Sequence, residues 1–369
     1  MNRLFRWDQM GLFLLALAAG ILPFAVPEVC AAALREGLTL CSGPLLLSLF
    51  PFLVVSRLLI QCPESDLLAL PFRLAAWGIG IRTPCAARVL CIGFLGGFAP
   101  AASAAAQAVR TGQLTAEEAD ALLPACICSG PSFVVLTVGQ SLLGSAELGA
   151  LLFASQITAN YLTAALLNRF AGVRSVKPGS AAPASPAPPR LDEILADAAI
   201  MYCKLCGFIL FFRMLAAGAG ALLPAGAGTL CSILLEVCSG CDLASRTGRW
   251  GSLLCCAALS VQGLSVLLQV RTICPPEMTL RPLYRSRLLH LPLSLALFYL
   301  LLPGGEADVF STLPARVLLM RRVPPDCALL VFAVCCMAAC TLRSGIRQVE
   351  QKQMARNAGG CCINSKTLL

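Results

Sequence analysis

The chain has 369 residues, of which 58% are hydrophobic and only 13% are charged, and its mean hydropathy is +0.80. Soluble proteins are typically about 45–50% apolar and about 25% charged, because water must wet the folded surface. The composition therefore excludes an ordinary soluble domain, and it equally excludes a disordered, collagenous or secreted disulfide-rich chain. A membrane helix needs roughly 20 apolar residues, so the apolar content is enough for about ten spans or helical hairpins.

The net charge of +9 is unevenly distributed along the chain. Residues 1–170 are neutral overall, and residues 171–369 carry the whole excess of Lys and Arg. Short basic segments between apolar stretches favour the cytoplasmic side of a membrane, so we expect both termini to be cytoplasmic. One predicted cytoplasmic loop contains Arg271, Arg281, Arg285 and Arg287. Nucleic-acid binding is the weaker interpretation, because no basic face is interleaved with aromatic residues.

Residues 1–171 form a first membrane half that contains broken helices. We expect spans over residues 10–26, 42–60 and 148–167, with kinks at Pro44 and Pro51. Residues 28–36 are typical of a short interfacial helix. These assignments leave the stretch between residues 85 and 143 to be explained.

The segment 85–109 is apolar, but helix-breaking residues lie at its centre. Gly93, Gly96, Gly97 and Pro100 would each weaken a continuous helix, by about 1 kcal/mol for each Gly and more for Pro. We therefore predict a break in the middle of this segment.

Thr115 followed by Glu117 and Glu118 is typical of a helix start, because the hydroxyl caps free amides and the acids favour the first turn. This helix should stop at Ser129-Gly130-Pro131, after which residues 132–143 resume an apolar helix.

A Pro- and Ala-rich linker over residues 172–190 separates the halves, and it is predicted to be extended and cytoplasmic. The second membrane half covers residues 191–343, with expected spans at 198–218, 250–270, 288–302 and 327–342. Residues 230–243 are too short to cross alone and are interrupted by Ser239-Gly240. A basic cytoplasmic tail, 344–369, ends the chain.

Two Ser-Gly breaks, Ser129-Gly130 and Ser239-Gly240, interrupt apolar helices in the two halves. Open backbone groups at membrane depth are tolerated only where they are buried in protein or line a cavity. Paired breaks in corresponding positions are typical of transporters built from internal repeats. The alternative is that two short similar segments arose by chance.

Glu236 is an acidic side chain deep within an apolar run. An intramembrane carboxylate is costly, and it indicates a proton acceptor, a cation ligand or a solute contact. The structural alternative is a carboxylate held by helix N-terminal amides or by an arginine such as Arg213.

Gln262, Ser265 and Gln269 are spaced i, i+3, i+7 and would share one face of a continuous helix. Such a polar stripe joins helices, binds solute, or does both.

Signatures of enzymes and metal sites are poor. The chain has no P-loop, no HExxH and a single histidine, so we expect no enzyme and no cofactor. Most of the 21 cysteines lie in apolar runs, where a thiol acts as a small hydrophobe. A zinc site would need the pairs Cys203/Cys206 and Cys238/Cys241 together, and our expectation is that no metal is bound.

A series of short stretches in fixed order carries a family resemblance. They are Gly37-Leu38 with 49–53, 93–100, 112–119 with Leu122-Leu123, Ser129-Gly130-Pro131, Leu235-Glu236 with Ser239-Gly240, 260–269, and Tyr284-x-x-Arg287. Over about residues 37–290 the chain resembles the sporulation integral membrane proteins with a nucleoside-recognition, or Gate, domain. That domain is similar to concentrative nucleoside transporters and to the membrane part of ferrous-iron transporters, which implies a polytopic helical core with helical hairpins. The chain departs from the family at Ala99-Pro100, where the proline is shifted, and at Cys128, where the family tends to have Asn.

The expected fold is therefore all-α, a polytopic integral membrane protein with about 8–10 spanning or re-entrant segments. The function expected from the resemblance, the paired breaks and Glu236 is a transporter-like protein of sporulation in the bacterial inner membrane. It would move or sense a small polar solute, nucleoside-like or an ion, with a coupling cation as a further candidate partner. The alternative is a non-transporting scaffold for spore envelope or cortex assembly, whose partners are spore-envelope proteins or further copies of itself. The candidate substrate-binding residues are Gly96, Gly97, Pro100, Ser129, Gly130, Pro131, Glu236, Ser239, Gly240, Gln262 and Gln269.

Overall fold

A computed structural model describes residues 2–61, 67–171 and 191–302 of the chain. Of these residues 86% are helical, and no strand occurs among them, which confirms the all-α prediction. The predicted linker 172–190, the last span 327–342 and the tail 344–369 lie outside the described residues.

Among the residues that the structure describes, three long helices are apolar enough to cross a membrane: Ala146–Ala171, Leu191–Leu222 and the nearly continuous segment Gly248–Ile273. A bent pair, Phe13–Ala25 with Pro27–Ser42, passes the same test together but turns by 110° at the break. These lengths and compositions fit an integral membrane protein. The other apolar helices in the described ranges are shorter, as expected if breaks divide the apolar content into hairpins.

Four helices precede the first predicted break. They are α1 (Asn2–Ala25), α2 (Pro27–Ser42), α3 (Pro44–Gln61) and α4 (Leu70–Gly78). At Pro44 the helix is interrupted rather than kinked, because α2 ends at Ser42 and α3 begins at Pro44, where the missing N–H needs no helical partner. Pro51 does lie inside α3.

Helices α5 (Pro84–Gly96) and α6 (Phe98–Arg110) form a hairpin with Gly97 at its tip. A Cβ built on Gly93 would lie 3.2 Å from the Cβ of Ala101. Residues eight apart in a straight helix are separated by about 12 Å, so the chain folds back at Gly97. The predicted break is confirmed.

Helix α7 (Ala116–Cys126) begins directly after Thr115, as predicted, and Thr115 and Glu118 form a complete capping box there. Residues 127–131 then interrupt it, and a π-helix (Ser132–Leu142) follows. Long π-helices are rare and occur mostly near functional sites. Helix α8 (Ala146–Ala171) completes this half and packs against the π-helix.

The second half has the same kinds of elements. Helix α9 (Leu191–Leu222) is followed by a hairpin of α10 (Ala225–Leu235) and α11 (Val237–Ser245), with Glu236 at the tip. A short 3₁₀ turn, Gly248–Trp250, leads to a broken helix of α12 (Gly251–Val261) and α13 (Gly263–Ile273), joined at Gln262. Helix α14 (Arg281–Leu301) ends the described chain.

The order hairpin, broken helix, long helix therefore occurs twice, as α5 to α8 and as α10 to α14. The predicted pairing of Ser129-Gly130 with Ser239-Gly240 is wrong. Ser129-Gly130 interrupts a broken helix, whose counterpart in order is Gln262-Gly263, whereas Ser239-Gly240 lies inside α11. The hairpin of the second half turns at Glu236 because the carboxylate caps α11, so no glycine is needed there.

The core around these breaks is made of small side chains, most of all on α6. Small residues let membrane helices approach closely. The buried alanines of α6 are Ala99, Ala101, Ala102, Ala104, Ala105, Ala106 and Ala108. This packing places the tip of the first hairpin deep in the helical bundle.

Candidate functional site

The tip of the first hairpin touches the break of the first broken helix. Gly97 has φ +81°, and a Cβ built on it would lie 2.6 Å from the Gly130 nitrogen and 3.2 Å from the Cys128 carbonyl oxygen. Its ψ of −163° places it in a region of backbone space that is essentially restricted to glycine. The two segments can therefore meet only because residue 97 carries no side chain.

The second half makes the equivalent contact. Gly263 has φ +69°, and its Cβ would lie 3.0 Å from both the Glu236 nitrogen and the Leu235 carbonyl oxygen. The tip of the α10–α11 hairpin thus rests on the break between α12 and α13. Both halves bring a hairpin tip against a helix break.

One hydrogen bond joins the two pairs. The amide Nε2 of Gln262 donates to Ser129 Oγ at 3.4 Å, across 133 residues of sequence. Ser129 is 6% exposed and Gln262 is 1% exposed. We call the set Gly97, Ser129-Gly130, Glu236 and Gln262-Gly263 the central break cluster.

Glu236 caps helix α11 within this cluster. Its carboxylate accepts hydrogen bonds from Cys238 N at 2.8 Å, Ser239 N at 2.7 Å and Ser239 Oγ at 2.9 Å. A carboxylate is favoured at a helix N-terminus because free amides and the helix dipole are positive there. The arginine suggested as an alternative holder is paired elsewhere, since Arg213 Nη2 lies 2.7 Å from Glu36 Oε2.

Gln262 is the most strained polar residue of the cluster. It has φ +65°, a left-handed conformation that side chains other than Gly, Asn and Asp rarely adopt. Its Nε2 also donates to the Leu259 carbonyl, but its Oε1 is buried and has no hydrogen-bond partner within the described residues. A buried acceptor without a partner costs about 1–3 kcal/mol. This oxygen is therefore available to an N–H, an O–H or a cation.

The predicted shared face of Gln262, Ser265 and Gln269 exists only in part. The helix breaks at Gln262, so only Ser265 and Gln269 lie on α13, where Gln269 Nε2 donates to Ser265 Oγ at 2.9 Å. Gln269 Oε1 is a second buried oxygen without a partner in the described part of the chain. No hydrogen bond joins Gln269 to the central break cluster.

Arg287, which was predicted to lie in a cytoplasmic loop, is instead 8% exposed on α14. Its guanidinium donates to the carbonyls of Ile127 at 3.4 Å, Pro124 at 3.5 Å and Ser260 at 3.5 Å, and to Asn160 Oδ1 at 3.3 Å. The neighbouring Arg281 and Arg285 are exposed. Leu283, Arg287, His290 and Ser294 are spaced three or four residues apart and are all buried, so they share the inner face of α14. This spacing would have placed Arg287 inside the helical bundle, but the sequence analysis did not use it.

A chain of buried polar groups continues from Arg287 between α8, α12 and α14. Gln156 Nε2 donates to Ser260 Oγ at 3.0 Å, and Ser260 exchanges a short hydrogen bond with Ser294. His290 Nε2 lies 3.2 Å from the Gln156 carbonyl. Hydrogen bonds of this kind fix membrane helices against each other, so this network holds the broken helix α12 in register with its neighbours.

Ten of the eleven candidate residues lie at a break or hairpin tip or within four residues of one, and Gln269 lies further along α13. Gly96, Gly97 and Pro100 lie at the first hairpin tip, Ser129 to Pro131 at the first break, Glu236 to Gly240 at the second tip, and Gln262 at the second break. Their role as solute contacts stays a prediction.

The alternative of a zinc site has no support in the described ranges. No group of three or more Cys, His, Asp or Glu side chains there is placed to hold a metal ion. Of the four thiols considered, Cys203 is exposed and Cys241 is buried.

Comparison of the chain with family models, curated proteins and solved structures gives no match.

Proposed function

We propose that this chain is a transporter-like integral membrane protein of sporulation, which moves or senses a small polar solute at the central break cluster. The observation that carries the proposal is the convergence of both hairpin tips and both helix breaks, linked by Gln262 and Ser129. Half-helix ends that meet at membrane depth are what transporters of this architecture use to bind solutes. The resemblance to the Gate-domain sporulation proteins points in the same direction.

The chemistry of the cluster favours a solute that offers hydrogen-bond donors. Gln262 Oε1 is a buried acceptor without a partner among the described residues, while the Glu236 carboxylate is already occupied by three donors. A nucleoside-like compound carries N–H and O–H groups that would satisfy such an oxygen. We therefore expect Gln262, rather than Glu236, to make the first solute contact.

Solute entry requires the structure to open. Glu236 and Gln262 are 2% and 1% exposed, so their side chains are out of reach of a solute in this conformation. Each hairpin tip touches its break through a few backbone atoms at glycine, a contact that separates without breaking a helix. Movement of the hairpins is the simplest route of alternating access in such folds.

The test is uptake by vesicles that contain the purified full chain. A panel of labelled nucleosides, nucleobases and small polyols is compared with protein-free vesicles made from the same lipids. The proposal predicts saturable, protein-dependent uptake of at least one class of solute. Uptake that never rises above the protein-free control would refute it.

A non-transporting scaffold for spore envelope assembly is the second candidate, and the capping role of Glu236 favours it. A carboxylate engaged by the amides of Cys238 and Ser239 serves α11 whether or not a solute binds. A scaffold predicts a stable protein partner in pull-downs from sporulating cells together with no uptake across the panel. Saturable uptake excludes this alternative.

A further inference from the structure

The buried Arg287 lies where two helices end. Pro124 and Ile127 belong to the last turn and C-cap of α7, and Ser260 belongs to the last turn of α12. The guanidinium donates to the backbone carbonyls of all three. Both of these helices stop at breaks of the central break cluster, so Arg287 joins the carbonyl ends of the two broken helices.

The charges at this place balance without a carboxylate. The C-terminal end of a helix carries the equivalent of about half an elementary negative charge, so two ends supply about one. One guanidinium supplies one positive charge. Within residues 2–61, 67–171 and 191–302, Arg287 forms no ion pair, unlike Arg57, Arg213 and Arg246.

The surroundings of Arg287 are those of a bound cation. Its terminal nitrogens are met by three carbonyl oxygens and by Asn160 Oδ1, at 3.3–3.5 Å. Carbonyl and amide oxygens are the ligands that hard cations take, and half-helix C-terminal ends are where coupled transporters hold their cation. Here that position is filled by a side chain of α14.

We propose that Arg287 is a built-in cation, which neutralises the carbonyl ends of α7 and α12 so that the chain needs no coupling cation. This inference rests on the proposed function, since it states how a solute would move there. An exchanger or a uniporter is then the expected class, rather than a symporter driven by sodium ions or protons.

The direct test replaces the side chain by a free ion. In Arg287→Ala the carbonyls keep their positions but lose their cation, and free guanidinium can enter the space. We expect guanidinium chloride at about 1–20 mM, far below the molar concentrations that denature proteins, to raise the thermal unfolding midpoint of the detergent-purified full chain. The midpoint should rise with the logarithm of the guanidinium concentration above the dissociation constant, by about 2–4 °C at the highest concentration.

Matched controls separate this effect from general stabilisation. Urea or sodium chloride at the same concentrations should not produce the guanidinium response, and neither wild type nor Arg285→Ala, an exposed arginine on the same helix, should respond to guanidinium. A folded Arg287→Ala protein whose midpoint does not rise with guanidinium overturns the proposal, and so does an equal rise in the wild type.

A second measurement covers the case in which Arg287→Ala does not fold. The unfolding midpoint of the wild type is compared in sodium, potassium, lithium and choline chloride at constant ionic strength. Equal midpoints support a built-in cation, whereas a specific rise with one alkali cation overturns it. In vesicles, sodium-dependent uptake would refute this inference while leaving the proposed function intact. Stabilisation of Arg287→Ala by guanidinium without any uptake would support this inference and refute the proposed function.

Discussion

In both halves a hairpin tip contacts a helix break, and we call this contact a joint. The residues that form the joint differ between the two halves. In the first half, the hairpin tip and the helix break meet through Gly97 and Gly130, so the contact is made by backbone atoms. In the second half, the Glu236 carboxylate caps its own hairpin, and Gln262 occupies a left-handed position that glycine would fill more easily. The first joint brings two backbone segments close together, and the second joint contains polar side chains. The groups that can recognise a solute are therefore concentrated in the second half.

This difference determines how each joint responds to substitution. A joint made by glycines fails when a side chain is added, because the atoms in contact belong to the backbone and cannot turn away. The second joint also has a glycine contact, at Gly263, but it is stabilised in addition by the side chains of Glu236 and Gln262, so it is weakened as well when a hydrogen-bonding group is removed.

The substitution Gly97→Ala should have the largest effect. The new Cβ would lie 2.6 Å from the Gly130 nitrogen, in a backbone conformation that only glycine adopts easily. Strain and overpacking together should cost about 4 kcal/mol. We expect little folded, monodisperse protein after detergent extraction. Gly112→Ala is the control, because Gly112 also has positive φ but has open space around it. Wild-type yield of Gly97→Ala would contradict the close contact at this tip.

Gly263→Ala should be less severe, at about 2 kcal/mol. Its Cβ would lie 3.0 Å from the backbone of Glu236 and Leu235, so a small shift of the hairpin relieves the contact. The thermal unfolding midpoint measures the loss. If Gly263→Ala destabilised the protein more than Gly97→Ala, the closer backbone contact would not lie in the first half.

Glu236→Gln should cost about 1–2 kcal/mol, because an amide has one acceptor oxygen for the three donors that the carboxylate now serves. Asp242→Asn on the same helix is the matched control. Its partner Arg246 is mostly exposed, so the change should stay within about 0.5 kcal/mol. Equal thermal unfolding midpoints for the two variants would show that Glu236 does not stabilise α11 as a cap. Full sporulation with Glu236→Gln would show that an ionisable group is not needed there.

Gln262→Gly should have the smallest effect on stability, within about 1 kcal/mol, since relief of the left-handed strain offsets the lost 3.4 Å bond to Ser129. It should nevertheless lower uptake by at least about tenfold, the loss of roughly 1.4 kcal/mol of solute binding. Gln140→Ala, an exposed glutamine of the π-helix, should leave uptake unchanged. Wild-type uptake by a stable Gln262→Gly protein would remove Gln262 from the solute site.

Local features of the fold were predictable from sequence because they depend on local chemistry. The glycines and proline between residues 93 and 100 weaken a helix wherever it lies, and the structure breaks there. The capping box at Thr115 depends on two residues three positions apart. The Ser129-Gly130-Pro131 interruption likewise follows from its own composition.

Features that depend on tertiary contacts were missed or misplaced. The break at Glu236 contains no glycine, so the sequence indicated Ser239-Gly240 instead. The left-handed Gln262 is held by packing against the second hairpin, and no local pattern predicts it. Arg287 lies in a basic stretch with Arg281 and Arg285, and composition does not show which of the three turns inward. The meeting of four distant breaks is a property of the whole bundle.

The most direct test of the central claim is an experimental structure of the full chain in a lipid nanodisc, resolved to side chains. The measured quantity is the distance between Ser129 Oγ and Gln262 Nε2, which is 3.4 Å here. We predict that these two atoms lie within hydrogen-bond distance in the closed state, and that Gly97 contacts Gly130 and Gly263 contacts Glu236. A closed structure in which Ser129 and Gln262 are more than a helix diameter apart, about 10 Å, would contradict the account.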